Sequence, residues 1–367
     1  MGLKSALKDS LLKSNGSINC VPVSSIMLRS PLKADLYINY QCNSNCIHCY
    51  TLSSPREKTE MSLVTAKLAI DQMVNANVFY SVILGGEPLL HPHLLEILDY
   101  AISQNIIIGI STNGTLIDQD TAKNLSERCE EIQVSLHASN QESYLKIFGV
   151  DNFHKAIRGI RNLLNEGIRV SLNCTIMSVN LNEVPAIVHL AENLGIHDFI
   201  VNPFLPAGRG KVNKYLMLND QQLIELESNL MKLKSQNDYK IDIHNSAVCP
   251  DASLNQTNKW LELFYGNCQG RQMVAIDPLG NITACSLPIR EEKAFIGNIH
   301  NHSIQYYWDN ADMFKWFYSF KHNLKGRCKQ CELEFCSGCR ALALIENGDF
   351  FSEDPYCPNI KALSYKK

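Results

Sequence analysis

The chain has 367 residues, a length that favours two domains, and its 45% hydrophobic and 19% charged residues are ordinary for a globular protein with a sizeable core. Its formal net charge of -3 offers no basic surface that would indicate nucleic acid as a partner. No apolar run reaches the roughly 18 residues that a membrane-spanning helix needs, so we expect no membrane association.

Fourteen cysteines are a high number for a chain without a visible secretory signal. Its first thirty residues contain no continuous apolar core followed by a small-residue cleavage site. In a reducing compartment, clustered cysteines are metal ligands or catalytic groups more often than disulfides. We therefore expect a cytoplasmic protein whose cysteines carry chemistry.

Strand-like and helix-like segments alternate after an N-terminal lead-in, residues 1–33, to which we assign no function. The strand-like runs are Ala34–Tyr40, Tyr80–Leu84, Ile106–Ile110, Glu131–Leu136, Arg169–Ile176 and Phe199–Asn202. The helix-like segments between them are Ser62–Asn75, Leu94–Ser103, Asp118–Arg128, Phe153–Glu166 and Asn182–Leu194. This alternation predicts an α/β fold of parallel βαβ units, in which ligands bind at the carboxyl ends of the strands.

Three closely spaced cysteines follow the first predicted strand: Cys42, Cys46 and Cys49, in a C-x3-C-x2-C run. Three thiolates this close on a loop can hold three irons of one cubane [4Fe–4S] cluster. Such clusters normally take four cysteine ligands, so the fourth iron is left open for a substrate or cofactor. A zinc knuckle is the alternative interpretation of this run.

This run resembles the signature of the radical S-adenosylmethionine (SAM) superfamily. The resemblance covers about residues 34–205 and implies an open or partial (β/α)6 barrel. It implies that the open iron chelates the amino and carboxylate groups of SAM, and that the reduced cluster cleaves SAM to a 5′-deoxyadenosyl radical. His48 stands at a position that is usually aromatic and lies near the adenine in that family.

Motifs at four later strand ends also resemble SAM-contacting motifs of this superfamily. They are a G-G-E-P run after the second strand, an S-T-N-G run after the third, a serine on the fourth and an asparagine on the fifth. The glycines are expected to allow close approach of the backbone to a ligand and a positive φ. The residues that the resemblance assigns to SAM binding are Gly85, Gly86, Glu87, Pro88, Ser111, Asn113, Ser135 and Asn173.

His137 at the end of the fourth strand departs from the usual family sequence, which has Asp there. Because an imidazole titrates near neutral pH, His137 is a candidate catalytic acid–base group; the alternative is a histidine that only lines the strand end. On the fifth strand, an inward Asn173 would place Cys174 outward among the helices, as a packing residue.

A second departure concerns the arginine that commonly holds the SAM carboxylate. Phe148 stands at the expected position, and Lys146 is the nearest cation that could replace it. Lysine is a point charge without the planar fork of arginine, so the sequence leaves the carboxylate without its usual partner.

Domain boundaries follow from breaker-rich segments. The linker Pro203–Gly210 ends the predicted barrel, and a predicted helix, Asp220–Lys234, leads to the next domain. We therefore divide the chain into the lead-in 1–33, a radical SAM core 34–210, a bridging helical segment 211–248 and a cysteine-rich domain 249–367.

The cysteine-rich domain contains eight cysteines: Cys249, Cys268, Cys285, Cys328, Cys331, Cys336, Cys339 and Cys357. Gly280 lies in a predicted hairpin turn between strands Met273–Asp277 and Ile282–Ala284. The pattern resembles the SPASM domain, the auxiliary-cluster extension of radical SAM peptide maturases, although two spacings of its C-x2-C-x4-C-x2-C block are one residue shorter. One or two structural zinc sites are the alternative.

The resemblance implies two auxiliary iron–sulfur clusters. The ligands of the first would be Cys249, Cys268, Cys285 and Cys339. The ligands of the second would be Cys328, Cys331, Cys336 and Cys357. Cys20, Cys129 and Cys174 belong to neither set, and we interpret them as buried thiols.

The resemblance implies a radical SAM oxidoreductase or maturase that abstracts a hydrogen atom from a peptide or protein substrate. Implied partners are an external one-electron donor such as flavodoxin or ferredoxin, and a separate leader-peptide-binding protein, since residues 1–33 have no room for a recognition domain. Sulfatase maturation is an alternative. Ser286 counts against it, because sulfatase-maturing relatives commonly carry at that position an Asp that acts as a base. Two more functions stay open: a small-molecule dehydrogenase, including tetrapyrrole processing, and a non-catalytic iron–sulfur or zinc protein.

Overall fold

A computed structural model of the protein describes residues 28–196, 198–235, 242–244, 270, 272–314, 320–331 and 338–357. The strands in these ranges are β1 (Lys33–Tyr37), β2 (Tyr80–Leu84), β3 (Ile107–Thr112), β4 (Glu131–Ser135), β5 (Arg169–Ile176), β6 (Asp198–Pro203), β7 (Asp242–His244), β8 (Met273–Ile276), β9 (Asn281–Thr283) and β10 (Gly297–Asn298). All of them belong to one sheet with the order β10-β9-β8-β1-β2-β3-β4-β5-β6-β7.

Strands β1 to β7 run parallel, each beside the next in the chain, as βαβ units require. The strand order is linear, so the sheet is open, as predicted for a partial barrel. β8 extends the sheet on the other side of β1 and pairs parallel with it, placing Ile276 opposite Leu36. β9 and β10 follow as antiparallel neighbours. The cysteine-rich part of the chain therefore shares a sheet with the barrel.

The helices lie between the strands and over the last third of the chain. They are α1 (Leu63–Asn75), α2 (Leu94–Ser103), α3 (Gln119–Ser126), α4 (Gln141–Phe148), α5 (Phe153–Asn165), α6 (Val184–Asn193), α7 (Asp220–Ser235), α8 (Ile304–Asn310), α9 (Gly326–Gln330) and α10 (Arg340–Asn347). Side-chain caps fix several starts: Ser62 accepts a hydrogen bond from the Thr65 N–H at α1, and Asn140 caps α4 in the same way.

The two faces of the sheet differ in polarity because successive side chains of a strand point to opposite sides. On β1, Ala34 and Leu36 belong to the main apolar core beneath the helices, whereas Tyr37 belongs to a separate small cluster. On β5, Cys174 is fully buried in the main core, while Asn173 bonds polar groups of the neighbouring strands. The prediction that Cys174 is a packing residue is therefore confirmed.

The predicted strands and helices coincide with the observed ones to within a few residues, and the α/β class is confirmed. Helices α4, α8, α9 and α10 and strands β7 and β10 were not predicted. In the part of the chain that the structure describes, no helix is both long and apolar enough to cross a membrane.

Candidate active site

The three-cysteine loop follows β1 at the carboxyl edge of the sheet. The thiol of Cys42 is buried, those of Cys46 and Cys49 are partly buried, and none forms a disulfide. The C-terminal end of α4 holds the loop, because the Asn45 N–H donates to the Phe148 carbonyl at 2.9 Å. Two residues further along the loop, the Ile47 N–H donates to the Ile147 carbonyl at 3.0 Å. The helix that the sequence did not reveal thus positions the cysteines.

The donor set fits an iron–sulfur cluster. A four-iron cluster takes one thiolate at each ligated iron, and three free thiols lie on this one loop. Burial, with a smaller effect of the nearby Glu87 carboxylate, raises the pKa of Cys42 to about 12. Metal coordination deprotonates a coordinating thiol outright, so this raised pKa does not prevent Cys42 from binding a cluster.

The G-G-E-P run packs directly against the segment that leads into the cysteine loop. The Gly86 N–H donates to the Asn39 carbonyl at 3.0 Å, and the Glu87 N–H donates to the Gln41 carbonyl at 2.8 Å. A Cβ at Gly86 would lie 2.2 Å from the Gln41 carbonyl oxygen, and one at Gly85 would lie 2.0 Å from Asn39 Oδ1. Neither glycine has a positive φ. The expectation of positive φ was wrong: these positions need glycine because no space is left for a side chain.

Glu87 is fully buried, and its carboxylate joins two strand ends. Oε1 accepts hydrogen bonds from the Thr112 hydroxyl at 2.7 Å and the Leu89 N–H at 3.2 Å, and Oε2 accepts one from the Asn113 N–H at 2.8 Å. Burial raises the pKa of Glu87 to about 7 despite these donors. Pro88, which is buried, begins a 3-10 turn, Pro88–Leu90, directly after it. The carboxylate of Glu87 therefore binds protein groups and shapes the site from within.

Asn113 connects the third strand end to the cysteine loop. Its side-chain Nδ2 donates to Asn43 Oδ1 at 2.7 Å and lies 3.9 Å from Cys42 Sγ. Its Oδ1 accepts a hydrogen bond from the Thr115 hydroxyl at 2.6 Å. Asn113 thus lies beside the first cysteine, where a residue near an iron–sulfur cluster and its SAM ligand is expected.

A row of polar side chains crosses the inner face of the sheet and includes one residue that the sequence reasoning missed. Gln133 Oε1 accepts hydrogen bonds from Ser111 Oγ at 3.4 Å and from Asn173 Nδ2 at 3.1 Å. Asn202 Nδ2 continues the row by donating to Asn173 Oδ1 at 3.1 Å. Strand register places Ser135 opposite Asn173. Because Gln133 lies two residues before Ser135, strand alternation was a usable signal for it.

Three rings form an aromatic wall beside the cysteine loop. The rings of His48 and His137 meet edge to face with centroids 4.6 Å apart, and Phe148 stacks on His137 at 5.0 Å. Burial lowers the pKa of His48 to about 4, and the Arg209 charge contributes to the lowering. The His48 Nδ1 is buried without a hydrogen-bond partner among the described residues, which is the kind of group that a bound ligand satisfies.

His137 is held in one neutral form. Its Nδ1 accepts a hydrogen bond from the Thr175 backbone N–H at 3.1 Å, and a backbone N–H can only donate, so the ring proton is on Nε2. Burial, followed by the neighbouring His48, lowers the pKa of His137 well below its usual value. A catalytic His137 would therefore act as a neutral Nε2–H donor, and its role in catalysis stays a prediction.

Lys146 does not replace the missing carboxylate-binding arginine. Its side chain is 71% exposed and pairs with Glu142 at 2.7 Å on the outer surface of α4. Phe148, at the position where arginine was expected, is buried and stacks on Tyr144 at 4.0 Å. The interpretation of Lys146 as a substitute was wrong, because the side chain follows the solvent face of its helix.

The described part of the second cysteine group surrounds Asp354, which is 1% exposed. The Asp354 N–H donates to Cys328 Sγ at 3.3 Å, its Oδ2 accepts from the Cys339 N–H at 2.7 Å, and its carbonyl accepts from the Cys357 N–H. Arg340 Nη2 also lies 3.5 Å from Cys328 Sγ. Hydrogen bonds to sulfur are typical of cluster thiolates, so this environment fits an iron–sulfur ligand.

The remaining predicted auxiliary ligands are only partly described. Cys331 ends α9, and Cys285 follows β9. The hydroxyl of Ser286, the residue after Cys285, donates to Asp35 on β1 at 2.5 Å. Cys249, Cys268 and Cys336 lie outside the described residues. The division of the eight cysteines between two clusters stays a prediction.

Two family models match the chain in the regions that these sites occupy. The model described as the radical SAM superfamily matches residues 36–191, and the SPASM model, described as an iron-sulfur cluster-binding domain, matches residues 268–332. The chain therefore contains a radical SAM domain and a SPASM domain. Its cofactors are accordingly a [4Fe–4S] cluster with SAM in the core and auxiliary iron–sulfur clusters in the SPASM domain. Both matches fall within the predicted domains, whose boundaries stay predictions.

Similar curated proteins include a heme synthase and a peptide-related maturase. An AdoMet-dependent heme synthase of Methanosarcina barkeri is 27% identical over 330 residues, 86% of this chain and 93% of that protein. The mycofactocin maturase MftC of Mycobacterium tuberculosis is 27% identical over 335 residues, 90% of this chain and 83% of that protein. Streptococcus suis SuiB, in a crystal structure with the precursor peptide SuiA, covers 91% of this chain and 77% of its own with a TM-score of 0.72; at 18% identity it shows the fold alone.

Proposed function

We propose that this enzyme binds SAM at the three-cysteine loop, cleaves it reductively, and uses the 5′-deoxyadenosyl radical to abstract a hydrogen atom from a peptide substrate. The observation that carries the proposal is the meeting of four elements at one edge of the sheet: the free thiols of Cys42, Cys46 and Cys49, the G-G-E-P run, the Asn113 loop and the Gln133 row. When bound, the cluster supplies the electron for SAM cleavage.

The protein residues have roles that follow from their positions. The three cysteines hold the cluster, and the tight packing of Gly86 against the Gln41 carbonyl fixes the neighbouring loop. Ser111, Gln133 and Asn173 form a preoriented polar row that would bind the sugar and amino-acid parts of SAM. The His48 and His137 rings, both neutral because burial lowers their pKa, form a wall that would exclude water from the adenosyl group.

A peptide substrate is supported by the maturase relatives, since MftC aligns over 90% of this chain. Within this proposal the enzyme is an oxidoreductase or maturase that works in the cytoplasm. It receives electrons from a donor such as flavodoxin or ferredoxin, and a separate leader-peptide-binding protein assists recognition.

The test is production of 5′-deoxyadenosine by anaerobically reconstituted protein with dithionite and SAM, measured by liquid chromatography and mass spectrometry. Replacement of Cys42, Cys46 and Cys49 together by alanine should abolish it. Cys129→Ala is the matched control, because this thiol is buried in the main apolar core away from the loop. Product formation by the triple variant, or none by the wild type, contradicts the proposal.

A tetrapyrrole substrate is the second candidate, and a specific observation favours it. Besides the heme synthase, a pre-heme d1 synthase of Dinoroseobacter shibae is 24% identical over 342 residues, 86% of this chain. Titration of the reconstituted enzyme with Fe-coproporphyrin III, followed by its Soret absorption, separates the two candidates. Saturable binding together with porphyrin-dependent formation of 5′-deoxyadenosine would favour the tetrapyrrole, and stimulation only by short peptides encoded beside the gene would favour the maturase.

A further inference from the structure

The segment after β6 grips the cysteine loop through the loop's backbone carbonyls. Arg209 donates from Nη1 to the Cys46 carbonyl at 2.6 Å and from Nη2 to the Ser53 carbonyl at 2.9 Å. Asn213 adds a hydrogen bond from Nδ2 to the Ile47 carbonyl at 2.8 Å. One guanidinium thus joins the middle cysteine of the loop to a residue just beyond the loop, although a long stretch of chain separates Arg209 from either carbonyl.

The backbone of the same segment also lies against the loop. The Arg209 N–H donates to the Cys49 carbonyl at 2.9 Å. Gly208 has a φ of 53°, and a Cβ there would lie 2.2 Å from the Tyr50 carbonyl oxygen. Glycine at this position therefore permits both the left-handed conformation and the close approach that bring Arg209 to the loop.

The guanidinium group suits this task in shape and in charge. Its planar fork can hold two carbonyl oxygens in a fixed geometry, which a lysine ammonium cannot do. The described hydrogen bonds of Arg209 go to carbonyl oxygens, and no carboxylate among the described residues forms an ion pair with it. Its positive charge therefore lies beside Cys46 and forms no ion pair with a carboxylate of the described residues.

We propose that Arg209 is a positioning residue of the SAM-binding cluster, which fixes the three-cysteine loop and raises the reduction potential of the cluster. Reduction adds negative charge to the cluster, and a nearby cation stabilises the reduced form. The inference rests on the proposed assignment of Cys42, Cys46 and Cys49 as ligands. It adds a residue that none of the SAM-binding motifs contains.

Two substitutions separate the two roles. Arg209→Lys keeps the charge but loses the fork, and Arg209→Gln keeps some hydrogen bonding but loses the charge. Arg128→Gln is the control, since Arg128 pairs with Asp99 on the outer surface. For each reconstituted protein we would measure the reduction potential of the SAM-binding cluster, which is identified by the electron paramagnetic resonance signal that SAM alters. The rate of iron loss to a chelator and the melting temperature are measured as well.

We expect Arg209→Gln to lower the potential, Arg209→Lys to leave it near the wild-type value while iron is lost several-fold faster, and Arg128→Gln to change neither. A lower melting temperature with an unchanged potential and unchanged iron loss would overturn the proposal, because it would show a merely structural role. If Arg209→Gln binds no iron, Arg209→Lys provides the test. Iron loss from Arg209→Lys at the wild-type rate would also overturn the proposal. A wild-type protein without any SAM-altered signal would instead contradict the proposed function.

Discussion

The Asn113 N–H donates a hydrogen bond of 2.8 Å to Oε2 of Glu87, a fully buried carboxylate just beyond the end of the neighbouring strand. The side chain of the same asparagine bonds Asn43 at 2.7 Å and lies near Cys42. The cysteine loop is thus linked through Asn113 to a carboxylate whose described hydrogen bonds all go to protein groups. Three protein donors on one buried carboxyl group give Glu87 a structural role in the site, and its contact with SAM stays a prediction.

Glu87→Gln should therefore weaken the fold. A glutamine amide has one accepting oxygen, whereas both oxygens of the Glu87 carboxyl group accept hydrogen bonds, from the Asn113 N–H, the Leu89 N–H and the Thr112 hydroxyl. Leaving one buried donor unsatisfied costs about 1–3 kcal/mol. We expect that loss in the free energy of unfolding near pH 5, measured by urea denaturation of the cluster-free protein.

The difference in unfolding free energy between the wild type and Glu87→Gln should depend on pH with a definite sign. Burial raises the pKa of Glu87 from 4.5 to about 7, so the folded state holds the proton more tightly than the unfolded state. The contribution of Glu87 to the free energy of unfolding is therefore fully present below pH 4.5 and is lost as the pH rises through 7. The shift corresponds to about 3 kcal/mol, so the advantage of the wild type over the variant should shrink by that order between these pH values. A difference that stays constant with pH would contradict the assignment.

Gly86→Ala should impair SAM binding out of proportion to its effect on stability. A Cβ 2.2 Å from the Gln41 carbonyl oxygen forces the backbone before Cys42 to move, and such overpacking costs about 1–3 kcal/mol. Gly167→Ala is the control, because its φ of 73° makes alanine unfavourable by about 1–2 kcal/mol but no atom lies within 4 Å. Both variants should unfold at lower urea concentration, and only Gly86→Ala should raise the Kd for SAM. Equal affinities in the two variants would refute this role.

Gln133 offers a test of the polar row. Gln133→Leu removes the acceptor shared by Ser111 and Asn173, whereas Gln133→Glu keeps an acceptor at that place. Loss of a hydrogen bond of about 1 kcal/mol corresponds to a roughly five- to tenfold higher Kd for SAM. We expect that increase for leucine and a smaller one for glutamate, by equilibrium dialysis on reconstituted protein. Leucine without effect would show that the row does not orient SAM.

Local patterns in the sequence predicted the parts of the fold that depend on neighbouring residues. Alternation along β5 correctly separated an inward Asn173 from an outward Cys174, because the period of a strand is a property of a few residues. The pairing of β8 with β1 could not be predicted in this way, since it joins Leu36 to Ile276 across most of the chain. The contact of Arg209 with the Cys46 carbonyl could not be predicted for the same reason. The secondary-structure propensities of single residues carry no information on such long-range partners.

Arg340 provides a prediction for the SPASM domain. It is a buried cation, 1% exposed, whose Nη1 donates to the Phe350 carbonyl at 2.8 Å and the Ser352 carbonyl at 2.6 Å, while Nη2 lies 3.5 Å from Cys328 Sγ. Arg340→Met leaves two carbonyls without these donors and removes the positive charge beside the thiolate. We expect a loss of about 3 kcal/mol in unfolding free energy and a lower content of auxiliary-cluster iron.

The SAM-binding cluster should not respond to this change, so its SAM-altered paramagnetic resonance signal and the formation of 5′-deoxyadenosine without substrate should persist. Lys325→Met is the control, because Lys325 is 67% exposed and pairs with Asp349 at 2.7 Å. Exposed pairs of this kind contribute about 0–1 kcal/mol. If Arg340→Met kept its full iron content and wild-type stability, Arg340 would have no part in holding Cys328 for a cluster.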